Sequence, residues 1–237
     1  MARPRLLAVG GSDPLGGAGL QRAEEVAGAL GVDASLAVAL ETEQPPEAGL
    51  VAAEPTPPEA LRGVLDRLAG NGFDAVLVGA LGDAPQVAVV ADFLAERPET
   101  VPVVLDPVFR ATRSAAGAPP LLTEAGVYCL RDALLPLVDV VTPNLEEYGD
   151  GAFFAGVPWV LLKGGHADGD EVVDRLLHDG APAAEFRAPR LPGATEVHGT
   201  GCTLAAALAA RLAHGDPVPA AAARAHAFVQ ARLRRAR

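Results

Sequence analysis

Short apolar runs alternate with longer helical patterns along almost the whole chain, and this alternation limits the possible folds most strongly. The runs predict strands at 6–9, 35–40, 75–78, 101–105, 138–141 and 159–162. The patterns between them predict helices at 18–30, 57–69, 85–94, 123–134 and 205–213. Strands that alternate with helices form a mostly parallel sheet with helices on both faces. We therefore expect an α/β fold.

Two segments interrupt the alternation. Asp179-Gly180 lies between two apolar stretches of 171–187, which predicts a β-hairpin at the edge of the sheet. The segment 42–56 is rich in proline and glutamate, which indicates an irregular excursion or a second edge. No stretch resembles an interdomain linker, so we expect residues 1–237 to form a single domain.

Charge and cysteine content exclude several classes of function. The formal net charge of −11 disfavours binding to nucleic acid or to an anionic membrane. Two cysteines, Cys129 and Cys202, provide no disulfide framework. We see neither a secretory signal nor an apolar stretch long enough to span a bilayer, so we expect a cytoplasmic protein.

The run from His198 to Leu204 alternates glycine with Thr200 and leads through Cys202 into an alanine-rich helix. Glycines at a helix entrance let backbone N–H groups converge on an anion, and the helix dipole adds positive potential there. The same field would favour the thiolate form of Cys202. The segment therefore predicts an anion cradle, with a candidate base beside it.

Lys163 is the only lysine among 19 lysines and arginines. It follows the strand predicted at 159–162 and precedes Gly164-Gly165-His166. Lysine is a compact point charge, whereas arginine is a planar fork, so a single retained lysine indicates a site that arginine does not fit. Chance survival is the alternative, and the position at a strand end favours the functional interpretation.

Carboxylate and amide side chains also follow predicted strands. Asn144 and Glu147 would share one face of a helical turn, where oxygen ligands suit a hydrated Mg²⁺. From these residues alone, however, a capping box is the stronger interpretation. Asp106 ends a buried strand and either serves metal or phosphate chemistry or caps the next segment. The loop 10–17 is rich in glycine but lacks the Lys-Ser/Thr pair of a phosphate-binding loop.

All these segments follow strands, and ligands of open α/β sheets bind at the carboxyl ends of the strands. An anion cradle, one lysine, oxygen ligands and a thiol fit phosphoryl transfer, which depends on positioning and on neutralising charge. The Gly-x-Ser-x-Gly pattern of many serine hydrolases is absent, and the five histidines show no metal-ligand spacing.

The chain resembles the hydroxymethylpyrimidine and hydroxymethylpyrimidine-phosphate kinases of thiamine biosynthesis, within the ribokinase-like superfamily. Six segments carry the resemblance: Gly11-Ser12-Asp13, residues 16–21, Leu105-Asp106-Pro107-Val108, Thr142-Pro143-Asn144-Leu145, Lys163-Gly164-Gly165-His166 and residues 198–204. It implies a ribokinase-like three-layer α/β/α sandwich with a mostly parallel central sheet and a small edge hairpin. It also implies a homodimer and a small pyrimidine substrate.

The resemblance implies roles for the residues at the strand ends. Backbone N–H groups of the turn form an anion hole for the transferring phosphoryl group, and Cys202 takes the proton from the substrate hydroxymethyl. The residues of that turn are Gly199, Thr200, Gly201 and Cys202. Lys163 neutralises the phosphates of ATP, which also lie near Asn144 and Thr200. Asn144 and Glu147 organise Mg²⁺, and Asp106 supports the metal shell.

The substrate pocket implied by the resemblance lies beside this machinery. Its residues are Gly11, Ala18, Glu43, Ala80 and Val108. Glu43 matches a glutamine-or-glutamate position that binds the pyrimidine ring and its amino group.

Departures from the family keep two alternatives open. Ala80 replaces a methionine, Phe109 follows Val108 where methionine is frequent, and Arg22 interrupts a Gln-Ala-Asp sequence at the first helix. The segment between Glu147 and Trp159 is too short for the helix found in relatives. A pyridoxal-type kinase, which also uses a cysteine at this site, and a non-catalytic pyrimidine-binding paralogue are therefore retained.

Overall fold

A nine-stranded sheet dominates the computed structural model, which describes residues 2–13, 17–45, 47–111, 114–165, 169–191 and 199–235. The strands are β1 (Arg5–Ser12), β2 (Asp33–Glu43), β3 (Ala52–Pro55), β4 (Ala75–Val78), β5 (Val103–Leu105), β6 (Val140–Val141), β7 (Trp159–Leu162), β8 (Glu171–His178) and β9 (Ala181–Pro189). Their order is β3-β2-β1-β4-β5-β6-β7-β8-β9. The six central strands are parallel, whereas β3, β8 and β9 pair antiparallel at the edges.

Helices cover both faces of this sheet, as the alternation predicts. They are α1 (Gly19–Ala29), α2 (Pro58–Ala69), α3 (Ala84–Ala95), α4 (Glu124–Cys129), α5 (Leu145–Tyr148), α6 (Thr200–Ala213) and α7 (Val218–Arg235). The helix predicted at 123–134 changes at Leu130 into a π-turn, and a 3₁₀ turn then runs from Leu135 to Leu137. Pro136 lacks the N–H that a continuing helix would need.

Side-chain alternation along the strands divides the core into two layers. Leu6 and Ala8 of β1 pack with α1, α6 and α7, whereas Leu7 and Val9 pack with α2 and α3. Every residue of α6 from Thr203 to Ala210 is buried, because its alanines let the helix lie directly on the sheet. Since α6 packs against β1, β4 and β5, its first turn lies at the carboxyl ends of the central strands.

Both edges of the sheet match the sequence predictions. Asp179 and Gly180 join β8 to β9 with φ angles of 49° and 76°, which is the left-handed backbone of a tight hairpin turn. At the other edge, β3 pairs with the end of β2, so the excursion at 42–56 contains a short strand. No helix within the described ranges is long and apolar enough to cross a membrane.

Candidate active site

Backbone hydrogen bonds continue past the last residues of the central strands and hold the following residues in a row. These bonds run from Gly79 N to Val9 O (2.8 Å), Asp106 N to Val78 O (2.8 Å), Thr142 N to Leu105 O (2.9 Å) and Lys163 N to Pro143 O (2.9 Å). The structure thus brings together the side chains that sequence analysis placed at separate strand ends.

Lys163 lies at the centre of this row. Its Nζ donates a 2.7 Å hydrogen bond to Asp106 Oδ1 and lies 3.9 Å from Glu147 Oε2. The three side chains are only 13%, 5% and 11% exposed, respectively. Burial opposes the charge of Lys163, but Asp106 and Glu147 outweigh it and raise the pKa of the ammonium. Lys163 is therefore a charged group held between two carboxylates.

Asp106 contacts Lys163 and lies near Cys202. Its Oδ1 also accepts a 3.0 Å hydrogen bond from the hydroxyl of Thr142, and its negative charge raises the pKa of the Cys202 thiol. Asp106 is 3% exposed, so these groups supply the polar contacts that a buried carboxylate requires. Thr142 was not predicted as a site residue, although its position at a strand end beside Asn144 was a usable signal.

Asn144 and Glu147 form the capping box of α5. Asn144 N donates to Glu147 Oε2 and Glu147 N donates to Asn144 Oδ1, both at 2.8 Å. The capping interpretation is thus confirmed. Burial raises the pKa of Glu147 to about 7, with Lys163 lowering it and Asp106 raising it further. The ionised form of Glu147 is incompletely compensated by its surroundings.

The first turn of α6 begins against the N-terminal loop. Gly199 caps the helix with φ of 79°, and a Cβ at this position would lie 2.1 Å from Gly17 O. A Cβ at Gly201 would lie 3.4 Å from Lys163 Nζ, so the ammonium rests beside the helix entrance. Lys163 therefore lies beside the turn from Gly199 to Cys202. His198, the residue before this turn, lies outside the described residues.

Cys202 differs from the sequence expectation in its protonation. Burial and the Asp106 carboxylate raise the pKa of Cys202 to about 12, although the Gly19 N–H and Lys163 act in the opposite direction. The expectation that the helix field favours the thiolate is wrong, because burial and the neighbouring Asp106 carboxylate outweigh the field. Cys202 is a neutral thiol near the Asp106 carboxylate.

The predicted pocket residues border the same end of the sheet. A Cβ at Gly11 would lie 3.6 Å from Ala80 Cβ, so these two residues are neighbours. Ala80 and Val108 pack against a small apolar cluster formed by Leu40, Leu50 and Leu121.

The other predicted pocket residues lie at the N-terminal loop and at the end of β2. Ala18 follows the glycine-rich loop and donates its N–H to Asp13 Oδ2 at 2.9 Å. Glu43 is exposed at the end of β2. Gly16 of this loop lies outside the described residues.

A buried hydrogen-bonded pair behind Lys163, formed by Asp174 and His226, was not predicted. Asp174 Oδ1 accepts the N–H of Gly164 at 2.8 Å, and Asp174 Oδ2 lies 2.7 Å from His226 Nδ1. Asp174 and His226 are 6% and 7% exposed. The signal in the sequence was weak, because Asp174 is one of four polar residues in β8. Only its burial shows that it requires a partner. This pair fixes the backbone that follows Lys163, whereas His166 lies outside the described residues.

The carboxylates of this site are possible ligands for a divalent cation. In the described part of the chain, no three side chains of His, Cys, Asp or Glu are arranged as a complete metal site. Mg²⁺ usually retains several waters and needs only one or two protein carboxylates, which Glu147 and Asp106 provide. The raised pKa of Glu147 indicates a carboxylate whose charge a cation would stabilise. These residues fit a hydrated Mg²⁺.

The family model and the relatives that match this chain all belong to one family. The family model for phosphomethylpyrimidine kinase matches residues 13–150 and 152–237. The hydroxymethylpyrimidine/phosphomethylpyrimidine kinase of Streptomyces coelicolor is 37% identical, with 95% of this chain and 87% of the relative covered. The enzyme of the same name from Mycobacterium tuberculosis is 35% identical, with coverage of 92% and 84%.

A solved structure shows a similar fold. The pyridoxal kinase of Staphylococcus aureus in complex with pyridoxal has a TM-score of 0.84 and 26% identity, covering 97% of this chain and 87% of the solved chain. A second structure of that enzyme contains AMP-PCP together with pyridoxal. The three-layer α/β/α architecture predicted from the sequence is thus confirmed.

Proposed function

The chain belongs to the phosphomethylpyrimidine kinase family of thiamine biosynthesis, and from this premise we propose that it transfers the terminal phosphoryl group of ATP to a pyrimidine. The acceptor is the hydroxymethyl group of hydroxymethylpyrimidine, the phosphate of its monophosphate, or each in turn. The observation that carries the proposal is the meeting of Lys163, Asp106 and Cys202 at the glycine-rich entrance of α6.

The transferring phosphoryl group is held by backbone and lysine together. The first turn of an α-helix has N–H groups without intrahelical partners, and Gly199 to Cys202 form that turn in α6. Lys163 adds a positive charge beside it, within contact distance of Gly201. Preorganised donors of this kind stabilise the charge on the equatorial oxygens in the transition state.

Glu147 and Asp106 would hold Mg²⁺, which neutralises charge on the phosphates of ATP when it is bound. Asn144 acts on this site by position: its side chain holds the N–H of Glu147, and its own N–H binds Glu147 Oε2. The carboxylate of Glu147 is thereby fixed to the start of α5. Thr142 and Lys163 hold Asp106 in the same way.

Cys202 is the proposed base. Its thiol is neutral in the resting site, so it must lose its own proton to water before the sulfur can act. The thiolate then accepts the hydroxyl proton of the substrate as the oxygen attacks phosphorus. The Gly19 N–H and Lys163 stabilise negative charge on the sulfur during this exchange.

A coupled ATP assay with hydroxymethylpyrimidine and its monophosphate, each with Mg²⁺, tests this function. Turnover with either substrate supports the proposal, and Cys202→Ala should abolish most of it while leaving the circular dichroism spectrum unchanged. Cys129→Ala, which removes the other cysteine, is the matched control and should retain activity. No turnover with either pyrimidine, or tight pyrimidine binding without transfer, would overturn the proposed pyrimidine kinase function.

A pyridoxal-type kinase is the second candidate. The fold similarity to the pyridoxal kinase of Staphylococcus aureus favours it, as does Ala80, which is smaller than the methionine expected at this position. The ratio of kcat/KM for pyridoxal to that for hydroxymethylpyrimidine distinguishes the two candidates. A ratio above one would assign the pocket to pyridoxal.

A further inference from the structure

The peptide group between Gly17 and Ala18 is held at both ends by charged side chains. Its carbonyl oxygen accepts two hydrogen bonds from Arg22, at 3.1 Å from Nη2 and 3.3 Å from Nε. Its N–H donates to Asp13 Oδ2 at 2.9 Å. Hydrogen bonds to charged groups are the stronger kind, and two donors of a rigid fork leave one carbonyl little freedom.

This same peptide forms the support of the anion-binding turn. Gly17 O lies so close to Gly199 that a Cβ there would approach it to 2.1 Å, and Ala18 Cα would lie 3.3 Å from that Cβ. One residue further along, the N–H of Gly19 lies near enough to the Cys202 thiol to lower its pKa. The segment from Gly17 to Gly19 therefore touches the cap of the turn and lies near its thiol.

Arg22 is itself held in place. Its side chain is only 11% exposed, and its Nη1 forms an ion pair with Glu25. Glu25 in turn accepts a 2.6 Å hydrogen bond from Arg232 of α7. A guanidinium buried to this extent requires such partners, and these fix its orientation toward Gly17. The contacts lead from α7 through α1 to the glycine-rich loop.

We propose that Arg22 is a positioning residue for phosphoryl transfer, which fixes the Gly17–Ala18 peptide and through it the place of Cys202. The proposal rests on the function assigned above to the turn from Gly199 to Cys202. A purely structural link between α1 and α7 would stabilise the fold without affecting the turn. The two roles of Arg22 predict different results for a folded variant. A positioning role lowers kcat, whereas a purely structural role leaves kcat unchanged.

The test compares Arg22→Ala and Arg22→Lys with Arg62→Ala. Arg62 is a matched control, because it is also a helical arginine that forms ion pairs, with Asp66 and Glu96, but on α2 at the opposite face of the sheet. For Arg22→Ala we expect kcat to fall roughly 10- to 100-fold, as for a displacement of about 1 Å in a reacting group. The KM for ATP should change little, because Lys163 keeps its contacts. Arg22→Lys should restore part of kcat, since one donor still reaches Gly17 O.

Amide hydrogen exchange gives a readout independent of activity. In Arg22→Ala, the N–H groups of Ala18 and Gly19 should exchange faster than in the wild type, whereas Arg62→Ala should leave them unchanged. Wild-type kcat and wild-type exchange in Arg22→Ala would overturn the proposal and leave only the structural link. Should that variant not fold, Arg22→Lys and Glu25→Gln carry the same test, with smaller effects expected in the same direction. If the wild type transfers no phosphate, the proposed function fails, and the exchange comparison still decides whether Arg22 fixes the loop.

Discussion

Lys163 Nζ donates a 2.7 Å hydrogen bond to Asp106 Oδ1 across the end of β6, the strand that separates theirs in the sheet. This bond places the only lysine of the chain between two carboxylates and against the entrance of α6. The Lys163 ammonium thus balances the charges of the buried Asp106 and Glu147 carboxylates, and we propose that it also contacts the phosphates of ATP. These residues form the proposed site of phosphoryl transfer.

Replacing Lys163 by methionine or by arginine distinguishes the effect of its charge from the effect of its shape. Lys163→Met should remove most activity and cost about 3 to 5 kcal/mol of stability, because breaking a buried ion pair leaves its carboxylate uncompensated. Lys163→Arg keeps the charge, but its fork must fit between Asp106 and Gly201. We expect Lys163→Arg to melt above Lys163→Met and still lose most of its kcat. Near-normal kcat in Lys163→Arg would contradict the compact site inferred here.

Alanine substitution of two glycines in the same turn should affect stability to different extents. Gly199→Ala introduces a Cβ about 2.1 Å from Gly17 O at a φ of 79°, so the backbone must move and stability should fall. Gly201→Ala places a Cβ 3.4 Å from Lys163 Nζ, the end of a flexible side chain that yields readily. Thermal melting should therefore separate the two variants. Equal melting temperatures would show that Gly199 does not hold the loop.

Glu147 should make stability depend on pH. Its folded pKa of about 7 lies above the ordinary 4.5, so the folded state binds the extra proton between these values. The free energy of unfolding contributed by this group then falls as pH rises from about 4.5 to 7 and is constant above. Glu147→Gln keeps the capping acceptor and avoids that loss. We expect it to be more stable than the wild type by roughly 3 kcal/mol at pH 8, at 1.36 kcal/mol per pKa unit, with little difference near pH 4.

The control for this experiment is Glu146→Gln, which removes an exposed charge from the same short helix. Chemical denaturation of the three proteins at several pH values gives the comparison. Glu147→Gln should also raise the Mg²⁺ concentration needed for activity, whereas Glu146→Gln should not. A pH-independent difference between Glu147→Gln and the wild type would show that Glu147 titrates normally.

Asp174 should support Lys163 from behind. Asp174→Ala leaves the Gly164 N–H and His226 Nδ1 without their acceptor, at a cost of about 1 to 3 kcal/mol for each buried polar group left unpaired. Because Gly164 follows Lys163 directly, the KM for ATP should also rise. Asp174→Asn retains an acceptor for Gly164 and should keep most of both properties. Identical behaviour of the two variants would exclude this role.

The fold was largely predictable from the sequence. Period and turn chemistry are local properties, so the parallel sheet, the hairpin at Asp179-Gly180 and the helices on both faces were all recognised. The end of α4 was not, because the π-turn at Leu130 depends on how Pro136 joins the next element. The expected homodimer and the cytoplasmic location stay predictions.

Site residues were predictable where they follow strands, since parallel strands bring their carboxyl ends together. The protonation of Cys202 was not, because it depends on burial and on Asp106, which is far away in sequence. The clamp of Arg22 on Gly17 required knowing that Gly17 lies against Gly199. Such relationships arise from tertiary packing and leave no periodic signal.

The most direct test of the central claim is a competition in one reaction that contains ATP, Mg²⁺ and equal amounts of hydroxymethylpyrimidine and pyridoxal. Mass spectrometry follows the phosphorylated products with the wild type and with Cys202→Ala. We predict that hydroxymethylpyrimidine phosphate accumulates first with the wild type and that Cys202→Ala forms almost none. Pyridoxal phosphate accumulating first would contradict the assigned substrate, and a near-wild-type rate in Cys202→Ala would contradict the assigned base.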